Sequence, residues 1–261
     1  MRPLTRWRIG NQLPYGPDRL MKLNVYRAPG PPPTQPLPVV VFWHGGTWKN
    51  GGLWRYGFVG RALAKMGVVA VLVGYRKYPQ IRYPTFVDDA ALAIKWVDEQ
   101  ISEYGGDPQR VVIAGHSAGA HTASALAYLP GYWEKTGLSR QVLKGFIGLS
   151  GPYDFYPRPD LQPIFPLKDL SEPWRIGKQL PSTLSPALVV HGYFDPIVKI
   201  GYAKTFVQRI KSANGRVAAR YLPIEHMLTL FSFVWPLRLL PRSPWRSCRA
   251  FVRQVFEPTL E

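Results

Sequence analysis

The chain has 261 residues, of which 46% are apolar and 19% charged, and this composition suits one α/β domain with a large core. No apolar run approaches the roughly 20 residues of a membrane span, and residues 1–8 lack the apolar stretch of a secretion signal. The single Cys248 excludes an internal disulfide. We therefore expect a cytoplasmic protein. The net charge of +17 lies mainly in the flanks, with +5 in residues 1–27 and +8 in residues 198–261; a solvated basic face explains it most simply, and we expect no nucleic-acid partner.

Short apolar blocks alternate with helix-like stretches along the chain. Residues 39–43 and 68–73 are continuous apolar runs, as expected for strands buried on both faces of a parallel sheet. Residues 20–26 alternate loosely and favour an antiparallel edge strand, and the six prolines of residues 29–38 make an extended connector. Pro84 opens a helix with apolar residues at helical spacing. Further strands are predicted at 111–114, 146–149, 187–190 and 217–222, and helices at 54–66, 84–104, 118–129 and 199–213.

This alternation predicts an α/β fold with a mostly parallel central sheet and helices on both faces. We expect a single domain over residues 1–261, with its core at about 37–230. The proline- and aromatic-rich residues 151–184 are expected to form a cap-like insertion of loops and short helices over the active site. Residues 231–261 form a basic C-terminal segment.

The sequence Gly115-His-Ser-Ala-Gly119 follows a predicted strand and precedes a predicted helix of small residues. This is the context in which G-x-S-x-G marks a nucleophile elbow. The turn must be tight, and it holds Ser117 in a strained conformation with Oγ exposed, while glycine on either side removes a Cβ clash. The pattern predicts Ser117 as a nucleophile.

A serine nucleophile needs a positioned base, and the chain has five histidines. His44 lies in a glycine turn, His116 lies inside the elbow and is directed elsewhere, His121 lies one helical turn further on, and His191 ends a strand before a tight turn. His226 follows the last predicted strand, so its loop reaches the same carboxyl edge of the sheet as the elbow. We therefore predict His226 as the base.

The acid that orients the base is expected between the serine and the histidine in the chain. Asp195 lies in the turn after its strand, where it can present a carboxylate to His226. Asp154, after the preceding strand, is the competing candidate and is more simply explained as fixing a loop by local hydrogen bonds. Glu225 adjoins the base in sequence and would point away from it. Asp195 is the preferred acid.

The tetrahedral intermediate of such a reaction needs backbone N–H donors. Ala118 directly follows the nucleophile, and Gly45 and Gly46 belong to the glycine turn after an earlier strand, so these three residues are candidates for an oxyanion hole. Three aromatic residues are candidates for the wall of an acyl or aryl pocket: Trp48, Tyr75 and Tyr153.

Together, these motifs resemble α/β-hydrolase serine esterases over about residues 37–230. The resemblance rests on His44-Gly-Gly-Thr-Trp48, Tyr75-Arg76…Pro79, Gly115-His-Ser-Ala-Gly119, His191-Gly-x-x-Asp195 and His226. The His-Gly-Gly-x-Trp form is similar to kynurenine formamidases and feruloyl-esterase-like hydrolases, whereas hormone-sensitive-lipase-like esterases carry a glycine where Thr47 stands. The resemblance implies a Ser117–His226–Asp195 triad, oxyanion donors at Gly45, Gly46 and Ala118, and no metal or organic cofactor.

We therefore expect a serine carboxylesterase that cleaves a small ester through an acyl-enzyme. The alternatives are hydrolysis of a small amide, as in arylformamidases, and a non-catalytic basic binding module of the same fold. The expected partner is a small-molecule ester or amide, and the pattern does not predict an oligomeric state.

The C-terminal stretch combines a strongly apolar run at 228–237 with five arginines among apolar residues and prolines. Two interpretations stay open. The stretch can be interfacial, with apolar contacts and basic anchors that bring the protein to a membrane surface. Alternatively, it is a closing helix packed on the sheet beside His226, with its arginines outside.

Overall fold

The central feature of the computed structural model, which describes residues 7–257, is a sheet of eight strands in the order β1-β2-β4-β3-β5-β6-β7-β8. Residues 1–6, most of the N-terminal stretch that is expected to lack a secretion signal, and the last four residues of the basic C-terminal segment lie outside the described residues. The strands are β1 Arg8–Pro14, β2 Lys22–Tyr26, β3 Leu37–Trp43, β4 Val69–Val73, β5 Gly106–His116, β6 Leu143–Leu149, β7 Ala187–Gly192 and β8 Val217–Leu222.

The strands from β4 to β8 in this order run parallel, and β1 and β2 are antiparallel additions at one side. Strand β2 is antiparallel as predicted, but β1 pairs with its outer side, so β2 is not the edge. Strand β1 is not predicted, because its sequence has no apolar run. Its pairing with β2 is irregular, and Gln12 within it has a φ of +52°. The predicted mostly parallel sheet is confirmed.

Helices cover both faces of the sheet because the side chains of its central strands alternate between two apolar layers. The helices are α1 Gly57–Ala64, α2 Thr85–Gln100, α3 Ala118–Tyr128, α4 Ile200–Ser212, α5 Leu228–Phe231 and α6 Pro244–Phe256. In β3, Val39, Val41 and Trp43 point into the layer of α2, α3 and α4, and Val40 and Phe42 point into the layer of α1, α5 and α6.

The loops at the carboxyl edge carry the candidate site. Residues 151–184 follow β6 and contain two short 3₁₀ helices, Gln162–Ile164 and Ile176–Gln179. The chain after β8 divides into two parts: α6 packs against the sheet, with Trp245 donating from Nε1 to the Ala62 carbonyl at 2.9 Å, whereas residues 228–240 expose several large apolar side chains. Within residues 7–257, no helix has the length and apolarity needed to cross a bilayer.

Candidate active site

Ser117 lies at the turn between β5 and α3, with φ +54° and ψ −123°. Positive φ in a residue other than glycine is strained, and such strain concentrates at functional sites. A Cβ on Gly115 would lie 2.3 Å from the Gly119 carbonyl oxygen, and a Cβ on Gly119 would lie 2.1 Å from the carbonyl oxygen of Trp43. Both glycines are therefore required for the turn to fit between β3 and α3.

Asp195 and His226 are brought together by the loops after β7 and β8. The Nδ1 of His226 donates to Oδ2 of Asp195 at 2.7 Å, and the aspartate side chain is fully buried. Gly192 allows the two loops to approach, because a Cβ there would lie 2.0 Å from the Ile224 carbonyl oxygen. A carboxylate at this atom fixes the imidazole with Nε2 free of the proton, which is the form that a general base requires.

His191 also contacts the candidate acid, a role that its position at a strand end did not reveal. Its Nε2 lies 3.2 Å from Asp195 Oδ2 and 2.9 Å from the Val198 carbonyl oxygen. Since a carbonyl oxygen only accepts, Nε2 carries the proton. The His-Gly-x-x-Asp spacing is the sequence signal that could have found this contact.

The carboxylate of Asp195 is satisfied on both oxygens. Its Oδ1 accepts the backbone N–H groups of Ile197 and Val198 at 2.9 and 2.8 Å. Burial by itself would raise the pKa of Asp195, but the hydrogen bonds from His191, His226 and the Val198 amide outweigh it and hold that pKa well below its usual range. The group therefore stays ionised at neutral pH.

His116, inside the elbow, holds the loop of His226 rather than acting on a substrate. Its ring lies 4.8 Å from that of His226, and its Nε2 donates to the His226 carbonyl oxygen at 3.3 Å. The same oxygen accepts from the Thr229 hydroxyl at 2.7 Å. Because His116 immediately precedes Ser117 in the chain, these contacts place the elbow and the His226 loop side by side.

The other two histidines are core residues. The Nδ1 of His44 contacts the Gly45 carbonyl at 2.7 Å, and the Nε2 of His121 contacts the Trp174 carbonyl at 2.7 Å. Burial lowers the pKa of His44 to about 3 and that of His121 to about 4. Both imidazoles are therefore neutral at physiological pH, and we assign neither of them to proton transfer.

The two alternative acids differ in their surroundings. Asp154 is fully buried in ion pairs with Arg175 at 3.0 Å and Arg209 at 3.2 Å. These contacts connect the 151–184 insertion to α4, which agrees with a role in fixing a loop. Glu225 is exposed.

The three candidate oxyanion donors differ in their position relative to Ser117. Gly45 packs on it directly, because a Cβ there would lie 3.0 Å from Ser117 Cβ. Ala118 is the first residue of α3, where helix geometry leaves the N–H without an intrahelical acceptor. Gly46, at φ +131°, forms a turn in which its carbonyl accepts the amides of Lys49 and Asn50.

A cavity of about 360 Å³ opens beside Ser117. Its lining includes Trp48, and Phe155 and Leu161 of the 151–184 insertion. The Trp48 ring stacks on Phe155 with centroids 5.8 Å apart. The cavity is thus mainly apolar and of a size that suits a small acyl or aryl group.

Tyr75 and Tyr153 do not line this cavity, contrary to the prediction. The Tyr75 hydroxyl donates to the His44 carbonyl at 2.9 Å, and its ring stacks on that of His44. Tyr153 stacks on Phe206 with centroids 4.5 Å apart and occupies the space above Gly148. A position after a strand does not determine which way a large ring points, and burial directed both rings into the core.

Within residues 7–257, no group of three or more His, Cys, Asp or Glu side chains is arranged to hold a metal ion. The polar groups at the site instead form the hydrogen-bonded chain from Asp195 to His226 described above. This arrangement can transfer a proton and stabilise a cationic imidazole.

The sequence and fold match known esterases. Residues 40–163 match a family model described as the α/β-hydrolase fold. Esterase LipC of Mycobacterium tuberculosis is 31% identical over 227 residues, which cover 77% of this chain and 54% of that protein. Carboxylesterase NlhH of the same species is 45% identical over 95 residues, or 36% of this chain and 30% of that protein. The chain thus spans about half the length of LipC and less of NlhH.

Among solved structures, a thermophilic esterase of Thermogutta terrifontis superposes with a TM-score of 0.76 at 23% identity, covering 99% of both chains. The chain therefore adopts the α/β-hydrolase fold, and its similarity to esterases of this fold is confirmed. The finer resemblance to kynurenine formamidases and feruloyl-esterase-like hydrolases stays a prediction.

Proposed function

We propose that this chain is a serine carboxylesterase with Ser117 as nucleophile, His226 as base and Asp195 as the orienting acid. The observation that carries the proposal is the 2.7 Å hydrogen bond from His226 to Asp195 beside a strained serine at the mouth of an apolar cavity. The names of the relatives favour ester hydrolysis.

In the proposed reaction, Ser117 Oγ attacks the ester carbonyl while His226 Nε2 takes its proton. His226 then gives this proton to the departing alcohol, which leaves an acyl-enzyme. Water, activated by the same imidazole, attacks the acyl-enzyme and releases the acid. Asp195, kept ionised by its hydrogen bonds, stabilises the imidazolium in both halves.

The negative charge on the tetrahedral intermediate would be stabilised by backbone N–H groups. We assign Ala118 and the glycine pair Gly45 and Gly46 to this role, with the N-terminal end of α3 adding a favourable dipole. Each such donor is worth about 10²–10³ in rate. Trp48 and the insertion residues around it would contact the acyl or aryl group.

A fluorophosphonate probe tests the nucleophile. Wild-type protein is expected to be labelled and Ser117→Ala not. Ser124→Ala is the matched control, because Ser124 is also buried, lies on the helix that follows the elbow and donates to the His121 carbonyl on the same helix. Folded wild-type protein that resists the probe would contradict the proposal and favour the non-catalytic binding module.

Kinetics on p-nitrophenyl acetate and N-formylkynurenine separate the two reaction types. We expect the larger kcat/KM on the ester, with both activities lost in Ser117→Ala. A clear preference for N-formylkynurenine would replace the carboxylesterase with an arylformamidase that uses the same residues.

A further inference from the structure

An exposed apolar surface lies on residues 228–242, called here the 228–242 segment. Trp235 is 63% exposed and Leu240 is 55% exposed. Single exposed apolar residues are common, but a contiguous group usually marks an interaction surface. The large exposed side chains of the segment are Leu228, Phe231, Val234, Trp235, Leu237, Leu239 and Leu240.

The charged side chains of the 228–242 segment, and those that line the hollows beside it, are basic. No aspartate or glutamate occurs between residues 226 and 256, whereas five arginines do. The guanidinium of Arg238 lies over the Trp235 ring, 5.6 Å from its centroid. A hollow beside this ring is lined by Arg238 and by two further cations, Arg61 of α1 and Lys65 directly after α1. None of these three cations makes an ion pair within residues 7–257.

A second hollow extends the apolar surface toward the end of β8. It measures about 730 Å³ and is lined by Leu222, Pro223, Leu237, Leu240 and Arg242, among others. Apolar side chains on its wall and an arginine at its side repeat the arrangement around Trp235. The 228–242 segment is therefore a two-part surface with the same chemistry throughout.

We propose that the 228–242 segment docks the protein on an anionic lipid bilayer surface. Interfacial binding combines these two components, because apolar side chains enter the headgroup region while cations contact anionic lipids. A second copy of the chain fits less well, because a two-fold interface through this surface would bring arginines against arginines. Nucleic acid would leave the leucines and valine without apolar contacts.

Docking would also place the candidate active site near the bilayer, since Leu228 is two residues from His226. The binding itself does not depend on the proposed esterase reaction. It can therefore be measured with the Ser117→Ala variant, and its failure would leave the esterase proposal untouched.

Flotation with lipid vesicles tests the proposal. We expect binding to vesicles of phosphatidylcholine with about one-third phosphatidylserine, little binding to phosphatidylcholine alone, and weaker binding as salt rises. Arg238→Gln with Arg242→Gln should weaken binding about 25-fold, at about fivefold per arginine. Trp235→Ser with Leu240→Ser should weaken it as well.

The matched control is Trp54→Ser with Arg55→Gln. Trp54 is 78% exposed and carries Arg55 over its ring at 4.5 Å, so this pair has the same chemistry at another place. The control variant should bind as wild type. Circular dichroism checks the fold of each variant, and the arginine variant leaves the apolar packing intact.

Three results would overturn the proposal. The first is no binding to anionic vesicles, and the second is equal weakening in the control and the segment variants. The third is a dimer, seen by analytical ultracentrifugation, that the segment variants dissociate while vesicle binding is absent.

Discussion

Replacing Asp195 by asparagine should abolish most activity while keeping the fold. Asp195 Oδ1 accepts two backbone N–H groups, from Ile197 and Val198, so the asparagine oxygen must occupy that position. The amide NH₂ then takes the place of Oδ2, facing His226 Nδ1. An NH₂ group can only donate, so Nδ1 becomes the acceptor and the proton moves to Nε2, where it blocks removal of the Ser117 proton.

The expected loss is about 10⁴ in kcat, which corresponds to about 5.5 kcal/mol of transition-state stabilisation. The measurement is the kcat for p-nitrophenyl acetate, with thermal unfolding to show that the variant is folded. A loss smaller than about tenfold in folded protein would refute the assignment of Asp195 and the tautomer argument with it.

Asp154→Asn is the control, since Asp154 is the other buried aspartate after a neighbouring strand. Its contacts are Arg175 and Arg209, so its loss should lower the free energy of unfolding by about 1–3 kcal/mol. The kcat should change little. The reverse pattern, with kcat lost only in Asp154→Asn, would identify Asp154 as the acid.

Three further predictions concern packing, positioning and pH. Gly119→Ala should lower the free energy of unfolding by about 3 kcal/mol in urea titrations, because the new Cβ would overlap backbone atoms. The control is Gly201→Ala in α4, which has no atom within 4 Å of the added Cβ and should raise the free energy of unfolding by about 0.5–1 kcal/mol. Similar effects of both substitutions would contradict the close fit of the elbow. His191→Gln should lower kcat about tenfold with KM nearly unchanged and move the acid limb of the pH–kcat profile, because Asp195 loses one imidazole donor. A change in KM alone would contradict the role of His191 in positioning Asp195. Burial lowers the folded-state pKa of His121 to about 4 from an ordinary 6.5, so the contribution of neutral His121 to stability is complete above pH 6.5 and is lost toward pH 4 at about 1.4 kcal/mol per pH unit. The free energy of unfolding, measured across this pH range, should therefore fall less steeply in His121→Gln than in wild type. The same pH dependence in both proteins would exclude the buried neutral histidine.

Most elements of the fold follow from local patterns. The apolar runs of β3 and β4 and the helix after Pro84 lie where the sequence predicts them, because burial on both faces of a parallel sheet requires continuous apolar residues. Strand β1 does not follow from such a pattern, since it is irregular and half exposed. Its place in the sheet comes from its irregular antiparallel pairing with the outer side of β2.

The candidate site divides in the same way. The elbow is recognisable because a tight strand-to-helix turn restricts residue types within five positions, and chain order then indicates Asp195 and His226. The 2.7 Å approach of His226 to Asp195 depends on how the loops after β7 and β8 meet at Gly192, and the inward direction of Tyr75 and Tyr153 depends on core packing.

The C-terminal segment shows the same limit most clearly. Its composition is consistent with both a packed helix and an interfacial surface, because apolar residues serve either purpose. Packing of α6 on the sheet accounts for residues 244–256, while residues 228–240 keep Trp235 and Leu240 in solvent. Local sequence specifies turns, strands and a nucleophile's setting through short-range sterics, whereas exposure and long-range hydrogen bonds are properties of the assembled chain.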